Sequence, residues 1–462
     1  MKIAMMASEV LPFVKTGGLA DVAGALPLAL QYCGHEVIII MPRYKSITDS
    51  KFKINRVSED ISFSVIGKDI KVYFIENSLY FHRDGLYGDK FGDYKDNLER
   101  FAFFCRRAID LLKEINFCAD ILHLHDWQSS LVPVYLKNVY AEKSFYKKMK
   151  CVLTIHNIGY QGIFDKEKFS KLALSWDLFD IKGLEFYGRV NLLKGGIVFS
   201  DLINTVSPAY AKEIQTKELG FGLDGLLRER KNILSGIING LDYSVWDPSA
   251  DKFIMQNFSA ETLENKVFNK EDLQKTCALP VNKDIPVLGM VSRLAEQKGF
   301  DILAESLSKL CKLDLQLVIL GTGDLKYHQI LKSAAEKYPK VISLNLKFDD
   351  PLAHKIYAGS DIFLMPSKYE PCGLGQLISL RYGTIPLVFK TGGLADTINA
   401  KNGFLFSDYS KEELLNSVEK ALFTFKNKPK WASLANNAMK CNFSWRISAD
   451  KYIKLYAKAR QG

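Results

Sequence analysis

Residues 361–396 read DIFLMPSKYEPCGLGQLISLRYGTIPLVFKTGGLAD, and this stretch decides how the chain is expected to fold. It begins with an apolar run at 362–365, short enough for a buried parallel strand. The run breaks at Pro366 and leads into Glu370-Pro371-Cys372-Gly373-Leu374-Gly375. A helical pattern follows from Gln376, with Leu377, Leu380 and Arg381 at helix spacing. A second apolar run, 385–389, then meets Lys390-Thr391-Gly392-Gly393. Two strand ends therefore each carry a charged residue beside glycines, and the first opens a helix. Glycine lets backbone N–H groups come close to a ligand, and a helix N-terminus favours an anion. Ligands of open parallel sheets bind beyond the carboxyl ends of the strands. The stretch predicts a phosphate site.

Strand, loop and helix repeat outward from there. Strands are predicted at 3–7, 36–41, 71–75, 120–124, 151–155 and 201–205, then at 286–291, 315–320, 341–345, 361–365 and 385–389. Helical patterns lie between, as at 96–114 and 300–312. Such alternation argues for doubly wound α/β domains with right-handed crossovers. It occurs twice, around an irregular zone at 236–251 rich in Asn-Gly and Asp-Pro turn signals. The expected division is an N-terminal domain at 1–242 and a C-terminal domain at 243–443. A final amphipathic helix covers 444–462, with Ser448 as its cap.

Bulk properties bound the function. At 462 residues, two domains of about 200 residues are expected. The composition, 47% apolar and 25% charged, is that of a soluble globular protein. No apolar run reaches the ~18 residues of a membrane span, and the N-terminus reads as a strand rather than a signal peptide. The eight cysteines lack metal or disulfide spacing, which fits a reducing cytoplasm. A net charge of +10 reflects lysine-rich solvated faces or a cleft that attracts anionic substrates. The basic residues are dispersed and no nucleic-acid motif accompanies them. GxGxxG, Walker A, HExxH and CxxC are absent, so nicotinamide, P-loop and zinc enzymes lack their signatures.

Polar clusters gather just past the predicted strand ends: His125-Asp126-Trp127-Gln128, His156-Asn157, Ser207-Pro208, Arg293 with Lys298, Gly321 to Asp324, and Glu370. Arg293 and Lys298 suit a diphosphate whose leaving charge they neutralise, the competing reading being a surface ion pair with Glu296. His156 is a donor to a hydroxyl or a structural histidine. Asp126 binds sugar hydroxyls, assists the reaction or caps the next helix. Glu370, beside an anion site, requires a cationic or hydroxylic partner. One heptapeptide recurs without change: Lys15-Thr16-Gly17-Gly18-Leu19-Ala20-Asp21 reappears at Lys390 to Asp396. Either it is a turn solution left from duplication, or the two glycine loops face one cleft.

These residues resemble a known family. KTGGLADVAGALP (15–27), HDWQ (125–128), TIHNIGYQG (154–162), NTVSPAYAKEI (204–214), GIINGLDYSVWDP (236–248), VSRLAEQKGFDIL (291–303) and PSKYEPCGLGQL with KTGGLADT (366–397) are similar to motifs of bacterial glycogen synthases and plant starch synthases. The resemblance implies a GT-B architecture: two Rossmann-like domains facing across a deep cleft, with the last helix returning to the first domain. It implies retaining transfer of glucose from ADP-glucose to the non-reducing end of an α-1,4-glucan, without metal, cofactor, nucleic acid or membrane. By motif position it assigns Arg293 and Lys298 to the diphosphate and Glu370 to glucose hydroxyls. His156 and Asp126 would line the sugar pocket, and Lys15, Gly17, Gly18 and Asp21 would approach the donor. Leu374 and Gly375 would offer backbone N–H groups to phosphate, and Gly373, Thr391 and Gly392 would also bind substrate. Cys372 falls at the family's active-site cysteine and is assigned to packing. Phe348 would stack on adenine, or else be a core loop aromatic; Tyr94 would border the glucan or sugar site. Gly375 replaces a common threonine, and Gln128 a common histidine. A bacterial-type, soluble enzyme without a starch-binding extension or transit peptide is expected. The expected chemistry is front-face glucosyl transfer completed by domain closure, with UDP-glucose or a small sugar acceptor as alternatives.

Overall fold

The computed structural model describes residues 1–461. The chain forms two compact units, one made of residues 1–240 with the C-terminal helix from Trp445, the other of residues 241–444.

In the first unit, strands β1 (Lys2–Met6), β2 (Glu36–Pro42), β3 (Asn55–Arg56), β4 (Ile61–Ile66), β5 (Ile70–Ile75), β6 (Ile121–His125), β7 (Lys150–Ile155), β8 (Leu202–Thr205) and β9 (Leu234–Gly236) form one sheet. Their spatial order is β9-β8-β7-β6-β1-β2-β5-β4-β3. Pairing is parallel except where β4 folds back on β5 and β3 on β4. The antiparallel edge was not expected: ISFSVI at 61–66 interleaves serines with apolar residues, so it lacks the unbroken apolar run of the central strands. Ile3 to Met6 and Ile121 to His125 are buried throughout, as strands covered on both faces must be.

In the second unit, β10 (Val287–Val291), β11 (Gln316–Leu320), β12 (Ile342–Asn345), β13 (Ile362–Met365), β14 (Ile385–Phe389) and β15 (Phe404–Phe406) are all parallel, in the order β12-β11-β10-β13-β14-β15. Relabelled one to six, this is the dinucleotide-fold order 3-2-1-4-5-6. Both units are thus Rossmann-like, as expected.

The helices between and after these strands include α1 (Gly18–Tyr32), α2 (Asn97–Glu114), α3 (Phe300–Leu310), α4 (Gly375–Arg381), α5 (Gly392–Thr397) and α6 (Trp445–Gln461). Helix α6 packs on α1, β6 and β7, burying Tyr452 and Tyr456 completely. Ser448 is not its cap. The helix starts at Trp445, and Ser448 Oγ donates instead to the carbonyl of Ile238 at 2.7 Å. Tertiary contact sets this start: Ser444 bridges to Leu241, and Gly240 lies so close that an added Cβ would stand 2.5 Å from Trp445 Cα.

Candidate functional site

The strand order of the second unit reverses between β10 and β13. The loops after these two strands carry Arg293 and Lys298 on one side and Glu370 on the other. They are zipped together. Gly299 has φ +80, and an added Cβ would lie 2.0 Å from the Pro366 carbonyl oxygen, so only glycine permits the approach. The Lys368 amide donates to the Gln297 carbonyl at 2.9 Å.

This closeness brings Lys298 Nζ to 2.6 Å from Glu370 Oε2, although the residues are 72 apart in sequence. The Glu370 side chain is 8% exposed, and Ser367 Oγ donates to the same oxygen at 3.1 Å. The carboxylate therefore has both the cationic and the hydroxylic partner its position demands. Glu296 pairs with Lys368 at 3.2 Å, not with Lys298 or Arg293. Arg293 is exposed and has no counter-ion among the described residues.

The second copy of the heptapeptide braces Glu370 from behind. Gly393 N donates to the Glu370 carbonyl at 3.0 Å. Gly392, at φ +42, lies so near that an added Cβ would be 2.0 Å from that same oxygen. Thr391 and Gly392 are buried there. Cys372 is also buried, in keeping with packing. Gly373 (φ +76) and Leu374 lead into α4, which has seven residues. At Gly375 an added Cβ would meet the Phe363 ring at 2.9 Å and Met365 Sδ at 3.2 Å, so the common threonine has no room here. Phe348 lies just past the edge strand β12 and is 85% exposed, which removes the core-aromatic alternative.

The first unit's order reverses between β1 and β6. After β1, the buried Glu9 accepts from Thr16 N and Oγ1, from Gly17 N at 3.2 Å and from Tyr87 Oη at 2.6 Å, pinning the loop that carries Lys15. Lys15 Nζ pairs with Asp21 at 2.8 Å. Burial raises the Asp21 carboxyl against the pull of Lys15. Gly17 and Gly18 contrast with the second copy: an added Cβ at either would meet nothing within 4 Å. Internal packing does not demand glycine at these two positions, and the space before α1 is open.

After β6, Asp126 stands at φ +57 and turns its carboxylate across to the end of β7. There Oδ1 accepts from His156 N at 2.7 Å, and the Asn157 amide assists. Capping of the next helix does not occur. Burial pushes Asp126 up to about 7, with these amides opposing. His156 Nε2 lies 2.9 Å from His125 Nδ1, and burial holds its pKa down at about 3. Tyr94 is held between Arg83 and Arg100, 4.8 and 5.0 Å from its ring, while its hydroxyl accepts from Gly85 N at 3.3 Å. Its own contacts account for it.

Sequence reasoning passed over Glu9 and Ser367, and it gave His125 no role beyond its place in the cluster after β6. Glu9 was visible only as a carboxylate a few residues past a strand, and Ser367 only as a serine three before Glu370. Among the described residues no group of three or more His, Cys, Asp or Glu is placed to hold a metal ion. No described helix is long and apolar enough to cross a membrane.

Comparison with known proteins shows the family. Residues 2–229 match the family described as starch synthase catalytic domain, and residues 274–441 match glycosyl transferases group 1. A glycogen synthase of Geotalea uraniireducens (strain Rf4) is 48% identical over the full length of both chains. One from Thermotoga maritima is 46% identical over 99% of each. The catalytic domain of starch synthase IV from Arabidopsis thaliana, bound to ADP and acarbose, superposes with a TM-score of 0.90 at 32% identity, covering 100% of this chain and 99% of that one. Sucrose-phosphate synthase from Thermosynechococcus elongatus, at 16% identity and a TM-score of 0.63 over 99% and 98% of the two chains, shares the fold alone. With charged and glycine-bearing loops at the switch points of both sheets and glycogen synthases matching along its full length, the chain belongs to the glycogen and starch synthase family and is a glycosyltransferase of the GT-B fold.

Proposed function

We propose that the chain lengthens an α-1,4-glucan such as glycogen by moving glucose, with retention, from ADP-glucose to the non-reducing 4-hydroxyl. One observation carries the reading: the loop after β10 bears both Lys298, paired with Glu370, and an exposed Arg293 without a counter-ion among the described residues, at the switch point of a nucleotide-type sheet. That the starch synthase IV relative is bound to ADP and acarbose supports an adenine nucleotide and a glucan-like ligand here.

Arg293 and Lys298 neutralise the diphosphate as the bond from glucose C1 to its oxygen breaks. Helix α4 is too short to add much of a dipole, so these side chains must supply the charge. Glu370 accepts hydroxyl hydrogen bonds from the glucose. The acceptor 4-hydroxyl attacks from the face the diphosphate leaves, and a phosphate oxygen takes up its proton. Phe348 stacks on adenine. In the first unit, Lys15 with the open Gly17–Gly18 backbone serves the donor, and His156 contacts a sugar hydroxyl. Asp126 acts through His156 as a positioning residue. Cys372, Thr391 and Gly392 shape the Glu370 loop, and Tyr94 is a wall. No disulfide joins the cysteines among the described residues, which suits work in a reducing cytoplasm.

The test mixes the protein with glycogen and either ADP-glucose or UDP-glucose and measures the nucleoside diphosphate released. An α-1,4-specific glucosidase should then recover the transferred glucose. Absence of ADP release with glycogen would overturn the proposal; faster UDP release would reassign the donor.

A further inference from the structure

Three imidazoles line up behind the loop after β6. His123 and His125 point to the same side of the strand, their ring centroids 4.2 Å apart, and the His156 ring lies 5.2 Å beyond His125. His123 is satisfied at both nitrogens, Nε2 by Thr154 Oγ1 at 2.7 Å and Nδ1 by Tyr456 Oη of helix α6 at 2.8 Å. His125 is fully buried. Its Nδ1 faces His156 Nε2 at 2.9 Å, and its Nε2 has no hydrogen-bond partner among the described residues. Burial disfavours the charged form of all three rings, so each carries a single proton.

Only one proton can lie between His125 Nδ1 and His156 Nε2, and its owner fixes both tautomers. Were His156 the donor, His125 would hold its proton on Nε2, an N–H buried with no acceptor. A bare buried N–H is a rarer and costlier defect than a bare lone pair. His123 cannot relieve it, because both of its nitrogens are engaged. We infer that His125 donates its Nδ1–H to His156 Nε2 and thereby fixes His156 as the Nδ1–H tautomer, so that His156 offers the transferred sugar a hydrogen-bond donor.

His125 is then a positioning residue, and two consecutive residues clamp His156: His125 its ring, Asp126 its backbone amide. His156 Nδ1 has no partner among the described residues, and the residue as a whole keeps some exposure, so the donor is available. The functional half of this inference rests on the reading that His156 contacts the donor sugar.

The full chain labelled with 15N-histidine separates the two. It has seven histidines, and His156→Gln and His125→Asn assign the two that matter in long-range 1H–15N correlation spectra. His156 and His125 are expected to be protonated at Nδ1 and bare at Nε2. A His156 protonated at Nε2 overturns the inference whatever the activity. In kinetics, His125→Leu should lower kcat about ten-fold, the loss of one buried hydrogen bond, and His125→Asn, which keeps a donor near the Nδ1 position, should recover most of it. In a His156→Ala background the two should be equal; a ten-fold difference persisting there would place the effect of His125 elsewhere and overturn it. If His156→Ala turns over like the parent, the sugar contact falls while the tautomer stands or falls by its spectrum. Should His125→Leu not fold, the spectrum of the parent still decides.

Discussion

Replacing Lys298 by methionine separates stability from chemistry. Among the described residues the change leaves the Glu370 carboxylate, with 8% side-chain exposure, facing only the Ser367 hydroxyl. Removing one partner of a fully buried pair costs ~3–5 kcal/mol. Because the Lys298 side chain is 19% exposed, solvent screens part of this, and the lower end applies: a loss of about 3 kcal/mol, or roughly 150-fold in the folding equilibrium. The double variant Lys298→Met/Glu370→Gln replaces the ion pair by neutral groups of similar volume and should recover all but about 1 kcal/mol. Adding Glu370→Gln to Lys298→Met should thus restore about 2 kcal/mol, whereas in the parent the same change leaves Lys298 unpaired and should cost stability. Two folded units need not unfold together, so the readout is hydrogen exchange of the β10 and β13 amides, which belong to the second unit alone. The recovered double variant should still turn over about 10²–10³-fold more slowly than the parent, since it lacks charge that acts on the leaving diphosphate. Single and double variants of equal stability would refute the energetics. Near-parent turnover in the double variant would remove both residues from the chemistry.

The repeated heptapeptide gives a paired experiment. Gly17→Ala should leave the thermal midpoint nearly unchanged, whereas Gly392→Ala should cost at least ~2 kcal/mol through its clash with the Glu370 carbonyl and its positive φ; equal midpoints would contradict the packing contrast. Phe348→Ala should not change stability, but should raise KM for the nucleotide sugar about ten-fold with kcat held, as loss of one stacked base implies. Unchanged KM would free Phe348 of that role. For Asp126 the folded pKa, about 7, lies above the unfolded value, so its stabilising contribution is complete below about pH 4 and is lost as pH rises through 7. Asp126→Asn escapes that loss. Its stability relative to the parent should climb between pH 4 and 8 by up to roughly 4 kcal/mol, and a difference independent of pH would show that the carboxyl titrates normally.

Much of the candidate site was legible because its chemistry is local. A cation pair, a glutamate before a glycine-rich helix start and a histidine past a strand each announce themselves by residue type and position. Partners were not legible. Whether Lys298 met Glu296, two residues away, or Glu370, 72 away, depended on how two loops approach. The capping reading of Asp126 failed for the same reason: its positive φ turns the carboxylate toward β7 instead of the helix it begins. Ser448 could not be excluded as a cap, because the contacts of Ser444 and Gly240 that start α6 earlier come from distant chain.

Alternation of short apolar runs with helical patterns was enough to determine two parallel α/β units and to place polar residues at strand ends, since burial on both faces writes itself into consecutive residues. The order of the strands was decided only by tertiary structure. Similar apolar runs can neighbour one another in several ways, and only the packing of crossovers sets β10 beside β13 and β6 beside β7. That choice brings Lys298 to Glu370, His156 to Asp126 and one histidine to the next.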